Sequence, residues 1–224
     1  MKYLLYSAIF GLEGKYDIIE NKNNEWDLKI FTDNSKVIKA NRCWTIHEVE
    51  KPHKSNRVCN RYYKWKIHEL FPEYEYILYV DSKWILKPNV LEYIQSFIDN
   101  PNHTAFFFEH FQRQCLYKEL GFVLKKGKDT SINVSSLKTF YESEGFPRTY
   151  GLTENSIFIR KLSSKWNKCC DDVYDYLQSG RTQRDQLCFM YFIWKYNLKQ
   201  EMKMLSHDTK ETNIIKKKFE KIYI

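Results

Sequence analysis

The residues of this chain with chemistry to offer are carboxylates and cations at the ends of apolar runs. Asp81 follows the unbroken run Tyr76-Ile-Leu-Tyr-Val80 and precedes Ser82-Lys83. A run of that length and composition reads as a buried strand, so the Asp81 carboxylate either faces a crevice at the strand's end or caps the turn that follows. Asp33 closes a second run, Asp27-Leu-Lys-Ile-Phe-Thr32, and His110 lies just past a third, Thr104-Ala-Phe-Phe-Phe108. A histidine in that position serves either a site or the local structure. Arg184-Asp185-Gln186 opens an apolar and aromatic segment to Tyr196, where an aspartate also suits the first turn of a helix.

The elements that must position these groups are legible as alternating strands and helices. Residues 3–10 are an apolar β-prone run closed by Gly11 and Gly14, and 27–32 and 44–49 predict two further short strands. From Asn56 to Phe71, Tyr62, Tyr63, Ile67, Leu70 and Phe71 recur at helical spacing until Pro72 ends the run. Pro88-Asn89 opens a helix over Val90–Ile98, which stops before Asn100-Pro101. Strand, loop and helix alternating to residue 108 predict an open α/β sheet with mostly parallel strands, whose carboxyl ends form the binding rim. That rim carries Phe10-Gly11, Asp33, Asp81 and His110. Beyond it, helices are expected over 113–124, 135–144 and 185–196 and a strand over 156–160, with a polar connection at 125–133 and no element assigned from 161 to 184.

At 224 residues with 43% hydrophobic residues, 7 Gly and 5 Pro, the chain is expected to form a single domain, 1–224, rather than a disordered or fibrous one. A formal charge of +8 and a pI near 9.0 imply an anionic partner: nucleic acid, a membrane surface or a phosphorylated small molecule. Signatures of RRM, KH, OB or zinc-type nucleic-acid modules are missing, so no nucleic-acid partner is expected. The Lys216-Lys217-Lys218 run reads as a solvated helix face. The six cysteines form no CxxC pair and predict free thiols. Residues 3–10 are too short for a signal peptide or membrane span, so a cytoplasmic protein with no transmembrane segment is expected.

Several short motifs, taken in order, give the chain a family resemblance. They are Tyr6-Ser-Ala-Ile-Phe-Gly11 with Tyr16-Asp17, Ile30-Phe-Thr-Asp-Asn34, Arg61-Tyr-Tyr-Lys64 with Phe71-Pro-Glu-Tyr-Glu-Tyr76, and Tyr79-Val-Asp-Ser-Lys83. They continue as His110-Phe-Gln-Arg-Gln-Cys115 with Glu119, Gly151-Leu-Thr-Glu-Asn155 and Gln183-Arg-Asp-Gln186. In this series, over roughly residues 3–195, the chain resembles the TOD1/MUCI70-type glycosyltransferase-like proteins. The resemblance implies a GT-A fold, a Rossmann-like α/β sheet that binds a nucleoside diphosphate sugar, with UDP favoured, and passes the sugar to a glycan or other hydroxyl acceptor. Residues 1–108 would be the nucleotide-binding half and 109–224 the half for acceptor and donor sugar.

On this resemblance the donor is expected to meet Ala8, Phe10, Gly11, Asp33, Arg61, Lys64, Val80, Asp81, Ser82 and Lys83. The sugar or acceptor is expected to meet His110, Arg113, Glu154, Arg184 and Gln186. Arg61 and Lys64, three apart on one helical face, would suit a diphosphate, or else form a solvated stripe. Asp185 is the implied catalytic residue, orienting donor hydroxyls or accepting the acceptor's proton; Asp185→Asn is expected to spare the fold and abolish transfer. GT-A enzymes usually hold Mn²⁺ or Mg²⁺ through an Asp-x-Asp motif, but Lys83 stands at the third position here. Two expectations follow: a metal shared by Asp81 and His207, or a site where Lys83 and other cations replace the metal. The rival readings are an inactive scaffold of the same fold and a basic nucleic-acid-binding protein.

Overall fold

The computed structural model describes residues 2–16, 25–40, 42–84, 86, 90–99 and 102–205. Alternation along the first strand explains the layering. In β1 (Tyr3–Ile9), Leu4, Tyr6 and Ala8 enter one core, while Tyr3, Leu5 and Ile9 enter another on the opposite face of the sheet. A strand buried on both faces needs an apolar residue at nearly every position, which is why this run reads as continuous rather than alternating.

Around it stand β3 (Trp26–Thr32), β5 (Thr45–Glu48), β6 (Tyr76–Val80), β7 (Ala105–Glu109), β8 (Thr153–Lys161) and β9 (Met202–Leu205), in the order β5-β3-β1-β6-β8-β7-β9. Only β8 runs antiparallel to its neighbours; β1, β3, β5 and β6 pair in parallel, as do β7 and β9. A two-stranded parallel pair, β2 (Gly14–Tyr16) with β4 (Ile38–Ala40), lies apart from this sheet. The expected mostly parallel α/β sheet is therefore present. Because β8 sits between β6 and β7, the two sequence halves share one sheet and one rim.

The larger core holds α1 (Asn56–Leu70), α3 (Leu116–Lys125), α4 (Ser131–Ser143), α5 (Ser164–Gln178) and α6 (Phe189–Lys195). The smaller core packs α2 (Val90–Ile98) on the other face. Helix α5 carries Trp166, Cys169, Cys170, Val173, Tyr174 and Leu177 on its buried side and lies against α1. Two expected helices are revised. The one predicted from Arg113 starts at Leu116, leaving Arg113 in the loop after β7. The one predicted over 185–196 is a 3-10 turn, Asp185–Leu187, then α6, broken where Cys188 leaves helical geometry at φ −130°.

Gly11 shows how tightly the rim is built. Its φ is +66°, and a Cβ there would lie 1.9 Å from the Asn56 amide nitrogen at the start of α1. Its N–H donates to Asp33 Oδ1 at 2.8 Å, tying the loop after β1 to that after β3.

Candidate active site

The carboxyl ends of β1, β3, β6 and β7 and the start of β8 share one rim, and the site is built there. β8 is irregular at this edge. Phe107 pairs with Phe158, yet the next residue, Phe108, pairs with Glu154, so Asn155–Ile157 bulge away from β7. On its other side β8 keeps its partner, with Val80 opposite Ile157 and the Asp81 N–H donating to Ser156 O at 2.8 Å. A bulge of this kind re-aims side chains at a sheet edge. Glu154, Asn155 and Ser156 accordingly join Asp81 in lining a cleft of about 230 Å³.

The opposite wall is a polar stripe of α1. Arg57, Arg61 and Lys64, at helical spacing, line the cleft beside Gln183, Arg184, Asp185 and Gln186. With Lys83, five cations surround three carboxylates: Asp81, Glu154 and Asp185. Asn60, on the same stripe, donates to Ala8 O at 2.6 Å and accepts from Arg61 Nη1 at 2.8 Å, coupling the stripe to β1.

Asp185 is 4% exposed, and its carboxylate accepts from Lys64 Nζ at 2.6 Å with Arg61 Nη2 at 3.5 Å. Burial pushes its pKa up, but Arg61 and Lys64 outweigh burial and hold it well below the ordinary carboxylate range. Lys64 is 1% exposed; burial lowers its pKa and Asp185 offsets only part of that. The Asp185 side chain is therefore committed to an ion pair rather than to capping a helix.

Asp81 is held differently. The buried Tyr79 hydroxyl donates to its Oδ1 at 2.6 Å, and burial followed by the Asp81 charge keeps that phenol protonated. Lys83 Nζ stands 3.8 Å from Asp81 Oδ2 and 3.9 Å from Glu154 Oε1, and Ser156 Oγ donates to Glu154 Oε1 at 2.7 Å. A divalent cation here would draw on these two carboxylates, but an ammonium already faces both. Mn²⁺ or Mg²⁺ in such a site completes its shell with donor phosphates and water, so Asp81 and Glu154 are the protein oxygens it would use here, and the other expected ligand, His207, lies outside the described residues.

Of the expected site residues, Arg61, Lys64, Asp81, Lys83, Glu154, Arg184, Asp185 and Gln186 are brought together in the cleft. Gly11, Asp33 and Ser82 lie on the rim outside it. Asp33 is occupied by the Gly11 N–H and by Lys51 at 2.8 Å; burial raises its pKa, but these partners draw it below the usual value. Ala8, Phe10 and Val80 are core side chains, with Phe10 stacked on Tyr63 at 5.4 Å. His110 and Arg113 also lie outside the cleft, in a network with buried Glu119. The His110 Nδ1 accepts from the backbone N–H groups of Gln112 and Arg113 at 3.1 and 3.2 Å, and Arg113 Nε donates to Glu119.

Residues missed in the sequence are Arg57, Asn155, Ser156 and Gln183. Arg57 lies four residues before Arg61, and that spacing was the available signal. Asp129 was also missed, for it touches the cleft only indirectly. It accepts from the Thr182 hydroxyl at 2.7 Å, the Gln183 N–H at 3.0 Å, Asn133 Nδ2 at 2.9 Å and the Thr130 N–H at 2.8 Å, pinning the segment that carries Arg184–Gln186.

The family model described as TOD1/MUCI70, glycosyltransferase-like domain, matches residues 18–220. The chain belongs to this family. No curated protein sequence matches it. Among solved structures, mouse xyloside xylosyltransferase 1 superposes with a TM-score of 0.53 at 11% identity, covering 92% of this chain and 86% of that one. A glycosyltransferase involved in glycosylation of the major capsid of PBCV-1 gives 0.49 at 13% identity, covering 94% and 84%. The first of these likenesses shows the fold, that of GT-A glycosyltransferases. No helix among the described residues is long and apolar enough to cross a membrane.

Proposed function

We propose that this member of a glycosyltransferase-like family transfers a sugar from a nucleoside diphosphate sugar, UDP-linked by preference, to a hydroxyl of a glycan or similar acceptor, with the donor diphosphate in the cleft. One observation carries the reading. Arg57, Arg61, Lys64, Lys83 and Arg184 converge on a cleft that holds only three carboxylates, which leaves it an excess of positive charge for an anionic ligand. Diphosphate oxygens are the acceptors that such a ring of cations suits.

In the transfer, the acceptor oxygen bonds to the sugar's anomeric carbon, the bond from that carbon to the diphosphate oxygen breaks, and the acceptor hydroxyl's proton passes to the departing diphosphate or to solvent. Negative charge gathers on the departing phosphate, where Lys83, Arg61 and Arg184 stabilise it more strongly than in the ground state. Lys83 takes the place of the second metal-binding aspartate and supplies positive charge directly. Asp185, held ionised by two cations, is a weak base, so we assign it to orienting the sugar hydroxyls and the cations themselves.

Calorimetry of UDP binding, with Mn²⁺ and after chelation, tests this reading. Affinity is expected to be unchanged by chelation and reduced about tenfold or more in Lys83→Ala. A large loss on chelation would contradict the role given to Lys83. An inactive scaffold of the same fold remains the rival that the Asp185 ion pair favours; slow hydrolysis of a UDP-sugar by the wild type would exclude it.

A further inference from the structure

The loop after β7 holds a feature that the donor cleft does not use. Among the described phenylalanine and tryptophan side chains, Phe111 alone is exposed, at 63%. Its ring is stacked on His110 with centroids 5.2 Å apart and planes 5° from parallel. His110 is in turn fixed on several sides. Two backbone N–H groups donate to its Nδ1 and its backbone N–H donates to Leu152 O at 2.8 Å; with Nδ1 accepting, Nε2 carries the ring proton, so Arg113 Nη2 at 2.8 Å packs against the ring edge without a hydrogen bond to it. Arg113 is locked by fully buried Glu119 and lies over the Phe122 ring at 3.9 Å. A buried ionic network thus supports one exposed aromatic ring.

We propose that Phe111 is the stacking platform of an acceptor subsite that takes a sugar ring of the glycan, and that His110, Arg113 and Glu119 are positioning residues acting through it. This rests on the glycosyltransferase reading above and deepens it. Three observations argue for a sugar. First, the place is right: the β7 loop neighbours the start of β8, where Glu109 pairs with Thr153 and Phe108 with Glu154, and Glu154 lines the donor cleft. The strand pairing therefore puts the loop that bears Phe111 next to the strand end that bears Glu154. Second, the chemistry is right. The apolar face of a sugar presents weakly positive C–H groups, which match the negative face of an aromatic ring, and a rigid ring costs little entropy to engage. Third, the same loop continues into one wall of a second groove of about 540 Å³, with Gln114, Cys115, Tyr117, Lys118, Arg148 and Thr149 around it. That groove offers hydroxyl-binding groups to further residues of a chain already seated on Phe111.

The test compares wild type, Phe111→Ala and Phe111→Trp on an array of immobilised oligosaccharides, with UDP calorimetry on all three. The wild type is expected to hold a subset of glycans, Phe111→Ala to hold the same glycans at least tenfold more weakly, and Phe111→Trp to keep them. UDP affinity should be the same in all three. His110→Ala should weaken glycan retention without altering UDP affinity, an effect that loss of a merely structural histidine would not confine to one ligand. Retention of no glycan by the wild type, or equal retention by Phe111→Ala, overturns the proposal. If glycans are retained through Phe111 while UDP binds none of the proteins, the nucleotide-sugar reading fails and the platform stands.

Discussion

Asp185 and Lys64 form the tightest joint in the cleft, and their coupling alters what a substitution there will do. Both are almost fully buried, and each carries a charge that the other offsets. Removing one member of such a pair strands the other in a low-dielectric setting, at a cost of roughly 3–5 kcal/mol. Asp185→Asn is therefore expected to destabilise the protein by about that amount, contrary to the simpler expectation that it would spare the fold. Pairing it with Lys64→Met should recover most of the stability but not UDP binding. Urea denaturation of the single and double variants, beside UDP calorimetry, checks both points; an Asp185→Asn protein as stable as wild type would show that the ion pair carries little of the structure. From sequence, Asp185 could be placed at the start of an apolar segment and Lys64 on a helix. Their meeting across 121 residues could not.

At the scale of elements, the site depends on two local irregularities. One is the β8 bulge that turns Glu154–Ser156 into the cleft; the other is the short segment before the 3-10 turn, which Asp129 holds by hydrogen bonds from Thr182 and Gln183 while Thr130 and Asn133 anchor Asp129 to the start of α4. Asp129→Asn keeps the size of the side chain but replaces one acceptor oxygen with a donor. It is expected to cost about 1–3 kcal/mol and to loosen Arg184–Gln186, raising KM for the donor several-fold with a smaller change in kcat. An unchanged KM would mean that the segment holds its position without Asp129. These irregularities also mark where sequence reading stopped. The uniform runs of β1, β6 and α1 were legible because period and composition agree. The start of β8 was not, because Thr153-Glu-Asn155 is polar, with Glu154 and Asn155 lining the cleft, so the strand was expected only from Ser156. Helix α5 has a clean buried stripe, but Lys, Asn, Asp and Cys around it weaken its local helical signal. The rim carboxylate Asp81 and its partner Lys83 were placed correctly at the strand's end, whereas Ala8, Phe10 and Val80 belong to the core beneath it.

For the molecule as a whole, the perturbed groups set a stability profile that falls on acidification in two steps. Burial lowers the pKa values of His47 and His68, aided by Lys29 and Arg160 respectively, so the unfolded chain binds protons first as pH drops below about 6.5. Asp33, Asp129, Asp172 and Asp185 resist protonation in the fold because their partners outweigh burial, so a steeper loss begins below about pH 4. Unfolding free energies measured at pH 8, 5.5 and 3.5 should decline in that order, and His68→Gln should flatten the first interval. A flat profile between pH 8 and 3.5 would contradict the assignment of these groups.

The central claim concerns the cleft and its anionic ligand, and a thermal-shift screen of nucleotide sugars against the whole protein tests it most directly. At about one hundred times its Kd a ligand stabilises the fold by about 2.7 kcal/mol, which for a chain of this size raises Tm by roughly 5–10 °C. A UDP-sugar is expected to give such a shift, and Arg184→Ala or Lys83→Ala to remove most of it. If no nucleoside diphosphate sugar moves the transition, or if both variants respond as the wild type does, the donor does not bind in this cleft and the account is wrong.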